Sequence, residues 1–182
     1  MRRTLTLSAV LLPLAAWAGD APYGLVWGAG IEALPSCEIV HDDGQTAWCV
    51  VRNPKSAPVD TAALRLIVDR RFGLQYVDWL SKDIADDANG TNGVAAYRAL
   101  KNDLSARFGR PHRSAEESLH PERFYPCLSS DGCAAYLAKW TDGDAEDVYL
   151  RLTANKNATA GVLEVVYEGP RWDDIKEAKK VK

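Results

Sequence analysis

Four cysteines and three histidines are the residues of this 182-residue sequence whose chemistry would be easiest to recognise. Nucleophilic or metal-dependent hydrolysis needs such residues at set spacings, as in a G-x-S-x-G turn or an H-E-x-x-H helix. Neither motif is present, and no glycine-rich phosphate loop follows a predicted strand. His41, His112 and His120 are scattered beside turn residues, which is typical of surface histidines rather than of ligands or bases. The sequence therefore predicts no catalytic residue, no metal site and no cofactor.

An acidic cluster before residue 91 superficially resembles a calcium-binding loop. With Gly90 aligned to the invariant sixth position of such a loop, Asp87 falls on a ligand position. Ala85 and Ala96, however, stand where the first aspartate and the twelfth glutamate belong. Because acids are favoured at helix N-termini, the cluster predicts a turn that caps a following helix.

The first 18 residues have the pattern of a secretory signal peptide. Arg2 and Arg3 precede an apolar run over residues 5–16, and Ala16-Trp17-Ala18 forms an A-x-A cleavage site. The run is shorter than the ~20 residues that a bilayer-spanning helix needs. Cleavage after Ala18 would remove two arginines and no acid, which changes the formal charge from -3 to -5. The sequence thus predicts a periplasmic or secreted protein, with no membrane anchor after cleavage.

Export would place the four cysteines in an oxidising compartment, where an even number indicates disulfides. Cys37 and Cys49 flank the turn residues Asp42-Asp43-Gly44, so they could face each other across a hairpin. Cys127 and Cys133 enclose a loop of five residues. Four cysteines allow three pairings, and the local pairing is favoured. A zinc site is the alternative, and it lacks a C-x-x-C pair or a histidine cluster.

The spacing of apolar residues predicts one amphipathic helix over residues 91–108. Its apolar stripe recurs every three or four residues and consists of Val94, Tyr97, Leu100, Leu104 and Phe108. Thr91 or Asn92 is the expected N-cap. Gly109 and then Pro111 are expected to end the helix, because glycine adopts the left-handed C′ conformation and proline cannot continue it.

Elsewhere the period of two predicts strands. They cover residues 47–52, 63–69, 73–80, 135–140, 148–153 and 162–168. Residues 30–34 are interpreted as a short first helix. The predicted fold is α+β: residues 19–172 form a single domain of antiparallel meanders with the main helix packed on one face, and the order fits an α-β-β-β repeat. Residues 173–182 are predicted to be a charged C-terminal tail, solvated or frayed. Most tryptophans are interpreted as core residues, with Trp172 partly exposed.

Several of these segments resemble a group of small, exported, mostly uncharacterised bacterial proteins. The opening Tyr23-Gly24-Leu25-Val26-Trp27-Gly28 is similar to their F-G-L-x-W-G pattern. The series from Gly93 through Tyr97 and Leu104 to Pro111 is similar to their Y-x-x-L-x-x-x-L-x-x-x-Y-G-x-P helix. These are packing and capping motifs, so the resemblance implies a fold and an exported protein but no catalytic residues.

Composition narrows the functional classes. The formal charge of -3 and a pI near 5.6 argue against a nucleic-acid-binding protein, which needs a basic surface. The candidate binding loop lies between Cys127 and Cys133, because a disulfide-closed polar loop has already lost much of its entropy. It consists of Leu128, Ser129, Ser130, Asp131 and Gly132. A purely structural role for this disulfide, in the connection between the helix and the next strand, is favoured over binding.

Two functional hypotheses follow from the sequence. The first is a non-enzymatic protein-binding module of the inhibitor, immunity or envelope accessory type, whose partner is an envelope protein. The second is a small-ligand binding protein or a hydrolase with an acidic and aromatic cleft, which predicts a deep pocket containing a carboxylate with a perturbed pKa. The first is favoured from the sequence alone.

Overall fold

Two four-stranded meanders meet in one antiparallel sheet. The computed structural model describes residues 19–34, 36–52, 54–85, 87–142 and 146–180. In this part of the chain, eight strands have the order β1-β2-β3-β4-β8-β7-β6-β5. The strands are β1 (Glu38–Asp42), β2 (Thr46–Arg52), β3 (Thr61–Asp69), β4 (Gly73–Ser81), β5 (Arg113–Ser118), β6 (Ala134–Asp142), β7 (Glu146–Ala154) and β8 (Gly161–Glu168). Because β4 pairs with β8, each meander begins at an edge of the sheet and ends at its centre. The signal peptide predicted over residues 1–18 lies outside the described residues.

Three α-helices accompany the sheet in the described residues: α1 (Thr91–Phe108), α2 (Phe124–Leu128) and α3 (Trp172–Lys180). The predicted bounds of α1 are confirmed, as is its end at Gly109, which has φ 81° and donates its N–H to Ser105. The N-cap differs from the prediction, since Gly90 occupies it at φ 74°. The side-chain cap is supplied by Asp87, which precedes the helix in the chain. Its carboxylate accepts the N–H groups of Asn92 and Gly93 in the first helical turn.

The six predicted strands are present, each extended by up to two residues at either end. β1 and β5 were not predicted, and they are the two edge strands of the sheet. Their residues are mostly exposed and carry charges, as is usual for edge strands, so they lack the alternating apolar pattern. The repeated unit therefore has four strands instead of the three in the predicted repeat. The predicted short first helix is a 3₁₀ turn at Ile31–Ala33.

The hydrophobic core lies against one face of the sheet. Alternate residues of the central strands point into it, as in Leu64, Leu66 and Val68 of β3. Tyr97 and Leu104 of α1 belong to the same buried cluster, as does Trp27 of the N-terminal segment. Trp140 and Trp79 are core residues as predicted. Trp48 is not, because its position in β2 alternates with the core residues Ala47 and Cys49.

The opposite face of the sheet contacts α3. The sequence predicts a solvated or frayed helix after residue 172, but Ile175 is fully buried and the ring of Trp172 lies 4.8 Å from that of Tyr76 of β4. The difference arises because two apolar residues among lysines and acids give a weak periodic signal, whereas the sheet offers them an apolar surface. None of the helices in the described part of the chain is long and apolar enough to span a membrane.

The cysteines form the two local pairs that were predicted. Cys37 is bonded to Cys49 across the β1–β2 hairpin, and Cys127 to Cys133. In the hairpin turn, Asp43 Oδ1 accepts the N–H groups of Gln45 and Thr46, which fixes the turn between the two strands.

Candidate functional site

The loop predicted as a binding site connects α2 to β6. Leu128 is half-buried, and Ser129, Ser130, Asp131 and Gly132 are exposed. The Ser129 hydroxyl donates to the carbonyl of Tyr125 and the Ser130 hydroxyl to that of Pro126. These contacts satisfy carbonyl groups at the C-terminus of α2, which have no partner within the helix. The loop is therefore a closed, ordered turn with Asp131 on its surface, and its role in binding stays a prediction.

The predicted acidic cap is confirmed at Asp87. Its carboxylate accepts the N–H of Asn92 at 2.9 Å and that of Gly93 at 2.7 Å. The hydroxyl of Tyr125 donates a third hydrogen bond at 2.7 Å. Burial acts to raise the pKa of Asp87, but these three donors hold it below its ordinary value. Among the described residues, no group of three or more His, Cys, Asp or Glu side chains is arranged to hold a metal ion.

A cavity of about 570 Å³ lies between α3 and the sheet. We call it the α3 cleft. Trp48, Ile67 and Tyr76 of the sheet form its floor, and Trp172 and Ile175 of α3 form one side. Trp48 is 44% exposed, so its ring is accessible at the surface of the cleft. The cleft thus combines an apolar floor with aromatic rings that a ligand can reach.

Four charged side chains of the sheet also line the α3 cleft: Arg65, Asp78, Arg151 and Glu164. They lie on the same sheet face as the apolar floor, since Arg65 is two residues from Ile67 and Asp78 two residues from Tyr76. Arg65 pairs in register with Asp78, and Arg151 pairs in register with Glu164. Because β4 and β8 are neighbours at the centre of the sheet, these two cross-strand pairs become one cluster.

The arginines share the acids of this cluster. Arg65 donates from Nε to Asp78 Oδ2 at 2.6 Å and from Nη2 to Glu164 Oε1 at 2.6 Å. Arg151 Nη2 lies 2.8 Å from Glu164 Oε2. The acids are buried, with side chains 2% and 10% exposed for Asp78 and Glu164. The arginine side chains are 49% and 50% exposed, so they form the accessible part of the cluster.

Asp78 is a buried carboxyl group of this cluster whose pKa lies well above its ordinary value. Burial, followed by the nearby charge of Glu164, raises its pKa to about 7, while Arg65 acts in the opposite direction. Its Oδ1 is buried and has no hydrogen-bond partner among the described residues. Burial likewise raises the pKa of Tyr76 to about 12. The carboxyl of Asp78 thus has a pKa raised to about 7 while it stays in direct contact with Arg65.

Sequence reasoning missed this cluster, although a signal for it was present. Each of its charged residues stands between two core residues of a strand, as Asp78 does between Val77 and Trp79 and Glu164 between Leu163 and Val165. Charges at alternate positions of central strands indicate a second face that is neither core nor ordinary solvent surface. The partners of each charge, and the helix beside them, could not be deduced without the strand order.

In comparisons with protein-family models, with curated proteins and with solved structures, nothing matches this chain. The resemblance to small exported bacterial proteins therefore stays a prediction.

Proposed function

We propose that this chain is an exported binding protein that holds a small, mainly apolar molecule in the α3 cleft. The observation that carries the proposal is the cleft of about 570 Å³, which falls within the range of ligand pockets, about 300–1,000 Å³. Its apolar floor with a few convergent charged groups has the usual make-up of such pockets. Of the two hypotheses from the sequence, the cleft favours small-ligand binding, because a pocket with a perturbed carboxylate is what that hypothesis predicted.

A binding role fits the chemistry of the cleft better than a hydrolytic one. Asp78 has a pKa suited to a general base, but its Oδ2 is held by Arg65 and its Oδ1 is buried. Glu164 is held on both oxygens by arginines. Carboxylates bound in this way hold the arginine side chains in position and neutralise their charge. A general base, in contrast, needs a lone pair that the substrate can reach.

Export is part of the proposal. It is supported by the signal-peptide pattern of residues 1–18 and by two disulfides, which persist in oxidising compartments. Mass spectrometry of the protein recovered from the periplasm or medium would test it, with an N-terminus at Gly19 as the expected result.

A neutral fluorescent dye tests the cleft without reference to any charged head group. We expect Nile red to bind the purified protein with a blue-shifted, enhanced emission. Val50 lines the cleft, so a Val50→Trp variant should fill it and abolish the signal. Val59→Trp is the matched control, because Val59 is 94% exposed and does not line the cleft. Equal dye binding by both variants, or none by the wild type, would contradict the proposal.

Protein binding through residues 128–132 is the second candidate function. It is favoured by one observation, namely that a disulfide closes the loop while Asp131 remains exposed. The test is a pull-down from envelope extract with wild type, an Asp131→Lys variant and a Cys127→Ser/Cys133→Ser variant. Loss of one identified partner in both variants would support a recognition loop, and retention of that partner in both would restrict the disulfide to a structural role.

A further inference from the structure

We propose that the ligand of the α3 cleft is a carboxylic acid with an apolar body, and that Arg65 and Arg151 bind its carboxylate. This inference rests on the proposed function and names the chemical class of the ligand.

The two guanidinium groups lie on either side of one carboxylate. Arg65 Nη2 contacts Glu164 Oε1 at 2.6 Å, and Arg151 Nη2 contacts Glu164 Oε2 at 2.8 Å. Arg65 comes from β3 and Arg151 from β7, so the sheet brings them together across β4 and β8. Both side chains are half exposed and both line the cleft. A ligand entering the cleft therefore meets two planar cations.

Each arginine has donors left over. A guanidinium group carries five N–H donors in a fork that matches a carboxylate. The contact between Arg151 and Glu164 uses two at most, and Arg65 contacts its two acids through Nε and Nη2. The remaining N–H groups include both on Arg65 Nη1. They are able to bind the two oxygens of a second carboxylate in the same way that Glu164 is bound.

The charge balance of the cluster determines when such a ligand binds. With both acids ionised, the two arginines are neutralised, and an added carboxylate would leave the cluster with a net negative charge. Protonation of Asp78 removes that excess, and its pKa of about 7 makes the proton available at neutral pH. Because Oδ1 has no hydrogen-bond partner among the described residues, protonation there breaks no contact. Binding of the ligand is thus coupled to proton uptake by Asp78.

The groups around Asp78 come from every neighbouring element. The charged or titratable side chains that face it or line the same cleft are Arg65 of β3, Tyr76 of β4, Arg151 of β7, Glu164 of β8 and Lys176, Lys179 and Lys180 of α3. Tyr76 stays neutral near pH 7, since its pKa is raised to about 12. Burial and the charge of Glu164 raise the pKa of Asp78 to about 7, which places its change of charge near neutral pH.

Lysines also line the cleft, but each has an acidic partner outside it. Lys176 contacts Glu168 at 3.1 Å, Lys179 contacts Asp43 at 3.5 Å and Lys180 contacts Glu177 at 2.7 Å. The lysines therefore oppose a cationic ligand without being the main anchor for an anion. An amine is disfavoured further because the unpartnered oxygen of Asp78 is out of contact with solvent, whereas the side chains of Arg65 and Arg151 are half exposed.

The body of the ligand is inferred from the floor of the cleft. Ile67, Trp48 and Tyr76 form the floor and Trp172 one side, so an aromatic ring or a short alkyl chain would replace water on an apolar surface. The exposed apolar side chains Val40 and Trp48 belong to the same cleft, which extends its apolar surface toward β1.

Isothermal titration calorimetry with ligands that differ only in the head group tests this assignment. The ligands are 3-phenylpropionate, 3-phenylpropan-1-ol and 3-phenylpropylamine, and octanoate serves as the alkyl acid. At pH 6 we expect each acid to bind at least tenfold more tightly than the alcohol or the amine. Affinity of the wild type for the acids should fall above pH 7, toward tenfold per pH unit, as Asp78 becomes charged.

Two variants with opposite expectations make the test specific. Arg151→Met should lower the affinity for 3-phenylpropionate at least tenfold and leave the alcohol unchanged, with Arg113→Met at the exposed edge strand β5 as the control. Asp78→Asn should keep its affinity for the acid between pH 6 and pH 8, because it resembles the protonated residue. Nile red binding by each variant shows that its cleft is intact.

If Nile red binds but the amine or the alcohol binds more tightly than the acids, the assignment of the ligand class is overturned and the cleft is upheld. The same holds if Arg151→Met does not change the affinity for the acids. Loss of affinity with rising pH in Asp78→Asn would overturn the role of Asp78. Failure of Nile red and of all four ligands to bind the wild type would instead remove the proposed function.

Discussion

The hydroxyl of Tyr125 donates a 2.7 Å hydrogen bond to Asp87 Oδ2, and this contact connects α2 to the first turn of α1. The same oxygen accepts the N–H of Gly93. Tyr125 is two residues from Cys127, so the disulfide-closed turn also positions the side chain that completes the cap of α1. The turn therefore helps to hold the first turn of α1 in place, independently of any role in binding.

The contact between Tyr125 and Asp87 predicts a measurable loss of stability. We expect Tyr125→Phe to lower the free energy of unfolding by about 1 kcal/mol, since one buried hydrogen bond is removed. Asp87→Ala should cost about 1–2 kcal/mol, because it also leaves the first turn of α1 without its cap. Urea denaturation followed by far-UV circular dichroism measures both. An equal, negligible effect of the two variants would contradict the cap.

Gly93 predicts a coupling between two substitutions. A Cβ atom at this position would lie 2.7 Å from the hydroxyl of Tyr125. Gly93→Ala should therefore destabilise the wild type, although alanine is preferred to glycine in a helix by about 1 kcal/mol. In the Tyr125→Phe background the clash is gone, and Gly93→Ala should be neutral or stabilising. A double-mutant cycle in urea checks this, and additive effects would show that the hydroxyl is not the obstacle.

Ile175 predicts how firmly α3 is attached to the sheet. Its side chain is fully buried between α3 and the face opposite the core. Ile175→Ala should lower the free energy of unfolding by about 2–4 kcal/mol, as for other buried large-to-small changes. Val59→Ala, at a 94% exposed position, is the control and should change it by about 0.5 kcal/mol or less. A small effect of Ile175→Ala would mean that α3 is not held against the sheet.

Asp78 predicts a pH dependence of stability whose sign follows from its raised pKa. The folded protein binds this proton more tightly than the unfolded chain does, since the ordinary value is 3.8 and the folded value is about 7. The contribution of Asp78 to stability is complete below pH 4 and is lost as the pH rises through 7. The difference in unfolding free energy between wild type and Asp78→Asn should therefore change between pH 4 and pH 8. A constant difference over this range would contradict the raised pKa.

The two disulfides predict unequal losses on removal. In the chain-entropy description, Cys37–Cys49 and Cys127–Cys133, with sequence separations of 12 and 6, constrain the unfolded chain by about 3 and about 2 kcal/mol respectively. Cys37→Ser/Cys49→Ser should accordingly be the more destabilised pair variant in thermal unfolding. The reverse order would indicate that native contacts near α2, such as the bond between Tyr125 and Asp87, are lost together with the second disulfide.

Local features of the chain were predictable from its sequence. The bounds of α1 followed from the spacing of its apolar residues and from Gly109, since both signals act over one or two helical turns. Six strands followed from alternation, because one of their faces is buried. The pairing of Cys127 with Cys133 followed from their short separation. Each of these predictions depends on interactions between residues that are close in the chain.

The α3 cleft could not be predicted from the sequence, because its residues come together only in the tertiary structure. Arg65 and Glu164 are 99 residues apart, and they meet because β4 pairs with β8 at the centre of the sheet. That pairing depends on how two complete meanders join, which no local pattern encodes. The position of α3 also depends on the sheet, because the few apolar residues of α3 pack against a surface that several strands form together. The sequence by itself therefore determined the elements, and the long-range strand order determined which of their charged residues share a site.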